Sequence, residues 1–271
     1  MIWLASYPKS GNTWVRALLS NYLQNDAGPT SINRLIGSSI HIDRHLFDET
    51  MGLASADMTP EEIAHNRPIF HQELSEQSPG LNFVKTHDAF NCPRSGEPLY
   101  PKEADSAVIY LVRNPLDIVT SFSHHQNKTV DEMIDFMADA NAKLRGGNAR
   151  FDQHLGAWSD HVTGWTRQNS LKLLTVRYED LITDTIGTFA KIIRFSGLDY
   201  DATRLQQAVE FAKFETLQQI EQEEGFDERQ PTAQSFFRSG QAGEGRKNLS
   251  DRQVAKIVES HRDLMFRFAY I

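Results

Sequence analysis

Three short apolar runs, each cut off by a tight cluster of polar residues, constrain this chain more than any other feature. The first is Ile2-Trp3-Leu4-Ala5, followed at once by Ser6-Tyr7-Pro8-Lys9-Ser10-Gly11-Asn12-Thr13. The second, Ala107 to Val112, stops at Arg113-Asn114-Pro115, and the third, Leu171 to Val176, stops at Arg177-Tyr178-Glu179-Asp180. Apolar runs of that length suit buried strands. A weaker run, Asn82-Phe83-Val84, ends in Lys85-Thr86-His87. Helical spacing of apolar residues follows: Trp14, Leu18, Leu19 and Tyr22; then Ile118, Val119 and Phe122; then Ile182, Ile186, Phe189, Ile192 and Ile193. This alternation predicts an α/β fold of three layers, a mostly parallel central sheet flanked by helices. Ligands of such sheets sit at the carboxyl ends of the strands, where the polar clusters fall here.

No repeat, heptad pattern or low-complexity linker interrupts the chain, so residues 1–271 are expected to form a single domain. Residues 28–80 have weaker periodicity and read as a helical excursion. The Gln-, Glu- and Gly-rich stretch from Glu221 to Lys247 reads as a long loop or lid.

Charge narrows the partners. The chain has 28 basic and 36 acidic residues, a formal charge of −8. A broad basic face is therefore absent from the expectation, and with it a nucleic-acid partner. Any bound polyanion must be held by a few local cations. Cys92 is the one cysteine, so neither an intrachain disulfide nor a cysteine-based zinc site is expected. There is no apolar run of about 18 residues, and Met1 to Ala5 is too short for a signal peptide. No membrane partner and a cytoplasmic location are the expectation.

The segment Tyr7 to Trp14 carries the strongest local chemistry. A strand stops at Pro8, Gly11 permits a tight turn, and Asn12 and Thr13 can open a helix. Such a turn presents backbone amides and the positive end of the helix dipole to an anion. Lys9 adds a point charge, and Ser10 and Thr13 add hydroxyls. The ATP/GTP-type loop pattern is absent, because the lysine precedes the glycine.

Tyr7 to Trp14 resembles the 5′-phosphosulfate loop of the PAPS-dependent sulfotransferase family (PAPS is 3′-phosphoadenosine 5′-phosphosulfate). Val108 to Ser121 resembles that family's 3′-phosphate element. The resemblance covers most of the chain and is thinnest between residues 24 and 82. It implies a P-loop NTPase-like fold, PAPS as co-substrate with PAP as product, and no metal. It places Lys9, Ser10, Gly11, Asn12 and Thr13 on the 5′ side, and Arg113 and Ser121 on the 3′-phosphate. A guanidinium fork and a hydroxyl suit a fixed dianion. Arg238 to Asn248 resembles the family's R-x-G-x-x-G-x-x-K element, which adds Arg238, Ser239 and Gly240 to the 3′ side. Here Arg246 stands at the last basic position with Lys247 beside it, and both remain open. By the same resemblance Trp14 and Phe214 sandwich the adenine ring, with Tyr178 near its edge.

Sulfuryl transfer needs a base for the acceptor, charge balance on the moving SO₃ and support for the departing phosphate. Lys-Thr-His at 85–87 resembles the family's catalytic segment. His87 is then the general base, and Lys85 and Lys9 are the neutralising cations. Alternation along an extended segment turns Lys85 and His87 to one face. The implied partner is a small molecule or natural product with a hydroxyl, an amine being the lesser choice. Phe90, Tyr100, Phe122, Phe236 and Phe237 are candidates for an apolar acceptor pocket, with His124 and His125 nearby. His41 and His45 have the i, i+4 spacing of a metal pair but lack a third ligand, so they read as surface histidines and no metal is expected.

Overall fold

The computed structural model describes residues 1–78, 80–92, 96–100, 106–230 and 235–271. In chain order the elements begin with β1 (Ile2–Ser6), α1 (Asn12–Gln24), α2 (Arg44–Met51), α3 (Pro60–Glu76), β2 (Phe83–Thr86) and β3 (Ala107–Val112). They continue with α4 (Pro115–Gln126), α5 (Val130–Ala138), β4 (Lys143–Leu144), β5 (Gln153–His154), α6 (Trp158–Arg167) and β6 (Lys172–Arg177). The remaining helices are α7 (Tyr178–Thr183), α8 (Thr185–Phe195), α9 (Ala202–Phe211), α10 (Phe214–Glu224), α11 (Gly245–Asn248) and α12 (Asp251–Arg267).

Four strands form a mostly parallel sheet in the order β2-β1-β3-β6. Every residue of β1 and β3 is buried, which their unbroken apolar sequences require of central strands. β1 pairs in parallel with β2, Leu4 opposite Lys85 and Ala5 opposite Thr86. Because β2 and β3 lie on opposite sides of β1, the strand order reverses there. The carboxyl end of β1 is thus a switch point, the place where open α/β sheets leave a crevice. The chain passes from β1 straight into Tyr7-Pro8-Lys9 at that end.

The described residues cluster in two compact units, each drawn from three stretches of chain. One comprises Met1–Tyr7, Gly37–Tyr110 and Phe136–Thr175; the other comprises Pro8–Ile36, Leu111–Asp135 and Val176–Ile271. In the first, Trp3 lies edge-on to Tyr100 at 4.7 Å, and Tyr100 reaches Trp165 at 4.6 Å. Burial of each such ring contributes on the order of 1.5–3 kcal/mol. In the second, α1 packs against α9, and α4 against α11 and α12. The start of α4 follows its sequence: Pro115 supplies a fixed φ at the first position, and the Asn114 side chain accepts from Leu116 N–H.

Four expectations are corrected. The run from Leu171 to Val176, read as a buried strand, forms β6 at the edge of the sheet and is mostly half-buried, since only one neighbouring strand covers it. The apolar stripe from Ile182 to Ile193 is not one helix. Asp184 ends α7 and caps α8 through Gly187 N–H, leaving Ile182 and Ile186 exposed while Phe189, Ile192 and Ile193 are buried. The local hydrogen bond of an Asx cap outcompetes helix continuation. His41 is not a surface residue: it is fully buried against Trp3 and His71, whereas His45 is exposed. The loop read from Glu221 to Lys247 is shorter, since α10 runs to Glu224 and α11 begins at Gly245; residues 231–234 of it lie outside the described residues. The excursion at 28–80 holds α2, α3 and three 3₁₀ turns.

Candidate functional site

The first group of site residues belongs wholly to the second unit. After Pro8 the backbone takes left-handed conformations at Lys9 (φ 66°) and Gly11 (φ 94°). A lysine there is held against its preference, which costs about 1–2 kcal/mol and turns successive amides to one side. Gly11 caps α1 with no side-chain hydrogen bond, and the first helical bond is Val15 N–H to Gly11 O at 3.1 Å. The amides of the first turn therefore point out of the helix end, where an anion is their natural acceptor. Ser10 is buried and its hydroxyl has no hydrogen-bond partner among the described residues. Such an orphan is satisfied by water, an ion or a ligand.

Arg113, at the end of β3, ties this loop to the glycine-rich stretch. One Nη donates to Lys9 O at 3.1 Å and the other to Gln241 O at 2.9 Å. Its guanidinium lies 4.2 Å above the Tyr178 ring, and its Nε is buried without a hydrogen-bond partner among the described residues. Tyr178 in turn fills the space over Gly11, where an added β-carbon would stand 2.6 Å from its ring. Trp14 crosses Tyr178 edge-on at 5.9 Å and donates from Nε1 to Ala212 O at 2.8 Å. Phe214 opens α10 and covers Gly240, whose β-carbon would come within 2.3 Å of that ring. Ser121 is half-buried on α4, Ser239 is half-buried, and Arg238 is exposed. Lys9 Nζ sits 3.8 Å above Phe236.

Sequence reasoning missed Asp117. This buried carboxylate accepts from Gly243 N–H at 2.8 Å and Gly245 N–H at 2.7 Å, clamping the glycine-rich stretch onto the start of α4. Gly245 is obligatory for that approach, since a β-carbon would meet Leu116 O at 2.1 Å. The only signal was an acid in the first turn of a helix, which ordinarily marks the dipole. Arg246 and Lys247 are both exposed, and Arg246 reaches Asp251 at 3.3 Å.

The second group belongs to the first unit. Lys85 and His87 are half-buried, while Thr86 and Asp88 are fully buried, so side chains alternate along the end of β2. His87 Nδ1 lies 2.8 Å from Ser6 O. A carbonyl can only accept, so Nδ1 carries a proton, and whenever the ring is neutral its lone pair lies on Nε2. The His87 backbone is held at both ends. Its N–H donates to Gln153 Oε1 at 3.2 Å, and its carbonyl accepts from His161 Nε2 at 3.1 Å. His161 is fully buried, accepts from Tyr110 OH at 2.9 Å, and is pushed down to about 4 by that burial. It is therefore neutral at pH 7, as the arrangement of donors requires.

Asp88, the next residue, is the buried hub. Arg67 bonds both its oxygens, at 2.8 and 3.4 Å, and His154 N–H donates to it at 2.8 Å. Burial pushes the carboxyl up, but the Arg67 charge and the hydrogen bonds outweigh it and hold the group well below the usual carboxylate range. His41 Nε2 stands 3.4 Å away, an electrostatic contact and not a well-aligned hydrogen bond.

The aromatic residues named for an acceptor pocket lie mostly in cores. Phe90 and Tyr100 pack around Trp165 in the first unit. In the second, Phe122 is buried, and Phe236 and Phe237 gather with Phe226. His125 meets the Phe236 ring edge-on at 5.9 Å, and His124 is exposed. Among the described residues no group of three His, Cys, Asp or Glu side chains is placed to hold a metal ion, and no helix is long and apolar enough to cross a membrane.

A family model described as "Sulfotransferase domain" matches residues 1–268. Flavonol 3-sulfotransferase of Flaveria bidentis is 23% identical over 273 residues, covering 94% of this chain and 78% of that one. The amine sulfotransferase of Oryctolagus cuniculus is 26% identical over 286 residues, covering 99% and 83%. Among solved structures, retinol dehydratase in complex with androsterone and the inactive cofactor PAP superposes with a TM-score of 0.64 at 21% identity, covering 97% of this chain and 80% of that one. A mouse sulfotransferase complexed with PAP gives a TM-score of 0.62 at 21% identity, covering 97% and 84%.

Proposed function

Since the chain belongs to the sulfotransferase domain family, we propose that it transfers a sulfuryl group from PAPS to a hydroxyl of a small-molecule acceptor, with His87 as general base. The observation that carries this reading is the tautomer of His87. Its Nδ1–H faces Ser6 O, and in the neutral ring that arrangement puts the basic lone pair on Nε2. Supporting it, relatives named for flavonol, luciferin, amine and steroid acceptors match most of the chain, and solved neighbours hold PAP.

The donor brings an activated sulfuryl group on a phosphate leaving group; the residues supply position and charge. Amides after Gly11, the Ser10 hydroxyl and Lys9 suit the 5′ side, and the guanidinium of Arg113 suits the 3′-phosphate, with Ser121, Arg238, Ser239 and Gly240. Asn12 and Thr13 open the helix that faces the same anion. Trp14, Tyr178 and Phe214 supply aromatic faces for the base, each worth on the order of 1–3 kcal/mol. The fit is favoured by the Ser10 hydroxyl and Arg113 Nε, both buried without a hydrogen-bond partner among the described residues. Lys85 balances charge beside His87. Residues 1–271 act in this reading as a single sulfotransferase domain without a metal.

The test has two parts. Thermal stabilisation by PAP but not by ATP with Mg²⁺ supports the donor, and the reverse pattern makes the chain a kinase. PAP release is then followed with PAPS and a panel of hydroxylated compounds. His87→Ala is expected to abolish turnover with PAP affinity nearly unchanged; turnover retained at neutral pH removes His87 from the role.

A further inference from the structure

The first unit contains a cavity of about 610 Å³ that none of the nucleotide residues lines. That volume is in the range of pockets for small organic ligands. Its wall includes Asp88 and Ala89, the two residues after His87, and Asp152 and His154, which flank the Gln153 amide bound to His87 N–H. Ile63, Ala64, Leu99 and Phe151 give it an apolar lining.

Charge sets this cavity apart from the rest of an acidic molecule. Among the described residues, Arg44, Arg67, Lys143 and Arg145 line it against Asp88 and Asp152. Arg67 is neutralised by Asp88 at 2.8 Å, and both side chains are almost wholly buried. Lys143 and Arg145 share the single carboxylate of Asp152, at 2.8 and 3.2 Å, in the more exposed part of the wall. Arg44 has no carboxylate partner among the described residues. It donates to Ser55 O at 3.2 Å and lies 4.6 Å above the Phe151 ring. Two more cations than anions therefore line an apolar cleft, and one of them is a guanidinium already braced by an aromatic face. A guanidinium in that setting recognises a planar carboxylate well. Burial lowers the His154 pKa, so its imidazole adds a neutral polar edge.

We infer that this cavity seats an organic acid, an apolar or aromatic body bearing a carboxylate, and that Arg44 selects for the acid group. As an acceptor such a compound also needs a hydroxyl, and that part alone rests on the sulfuryl-transfer reading.

The experiment compares 4-hydroxyphenylacetate with 4-hydroxyphenylacetamide, which differ in charge but hardly in shape. Calorimetric affinity is measured on the full chain, with and without PAP, and kcat/KM is measured with PAPS. The acid is expected to bind about tenfold to a hundredfold tighter than the amide, the scale of one charge-assisted hydrogen bond. Arg44→Gln should shrink that ratio to about twofold. A second variant, Ala64→Phe, narrows the cavity and should weaken both ligands at least about tenfold while PAP still binds. Equal affinity for acid and amide, no binding of either, or a preference that survives Arg44→Gln overturns the inference. So does undiminished binding to Ala64→Phe. If the acid binds as described but no PAP is released with any acceptor, the transfer reading fails and the organic-acid site stands.

Discussion

The ring of Tyr178 occupies the space that a side chain on Gly11 would need, its Cδ2 lying 2.6 Å from where a β-carbon would sit. Gly11 is thus required twice, once for a φ of 94° and once for this contact. Tyr178 and the turn after β1 are set by one another.

Gly11→Ala should lose about 1–2 kcal/mol to backbone strain and more to displacement of the ring. The expected outcome is PAP affinity lowered at least about tenfold, measured by calorimetry. Adding Tyr178→Ala removes the clash but not the strain, so the double variant should be less impaired than the sum of the singles. Simple additivity would show that ring and turn are independent.

Arg113→Lys keeps the charge but loses the fork that bonds Lys9 O and Gln241 O. PAP binding should weaken about tenfold to a hundredfold. Adenosine 5′-phosphosulfate, which lacks the 3′-phosphate, should lose less affinity than PAP does. An equal loss for both nucleotides would place Arg113 in loop architecture alone.

Asp117→Ala leaves the amides of Gly243 and Gly245 without their acceptor. Each lost bond to a charged group costs about 1.5–3 kcal/mol. The expected result is faster proteolysis or hydrogen exchange across residues 238–247, together with weaker PAP binding. Unchanged exchange there would show that the clamp is dispensable.

Acid stability follows from the buried histidines. His161 and His261 are both pushed down to about 4 by burial. Each therefore stays neutral in the fold while the unfolded chain takes up a proton below its ordinary value of about 6.5. Stability is complete above that pH and is lost as pH falls from about 6.5 to 4, by up to about 1.4 kcal/mol per unit for each group. Urea unfolding at pH 7, 6 and 5 measures the slope, and His161→Gln should flatten it. A slope unaltered by that change would remove His161 from the effect.

Local sequence carried β1, β3, the turn and the alternation at 85–88, because each depends on neighbours in the chain, whereas the third run, read as a buried strand, became the half-buried edge strand β6. Unbroken apolar runs made β1 and β3 central strands, a proline and a glycine bounded the turn at Lys9, and alternation along β2 separated Lys85 and His87 from Thr86 and Asp88. What only tertiary structure decided depends on partners far away in sequence. His41 was unreadable as a core residue because its surroundings, Trp3, His71 and Asp88, come from three other stretches of chain. Asp117 gained its meaning from glycines 126 and 128 residues away. The partner of His87 Nδ1 is Ser6 O, across 81 residues. Patterns of hydrophobicity and turn chemistry act over a few residues, whereas a buried polar group is defined by whichever donors and acceptors folding brings to it.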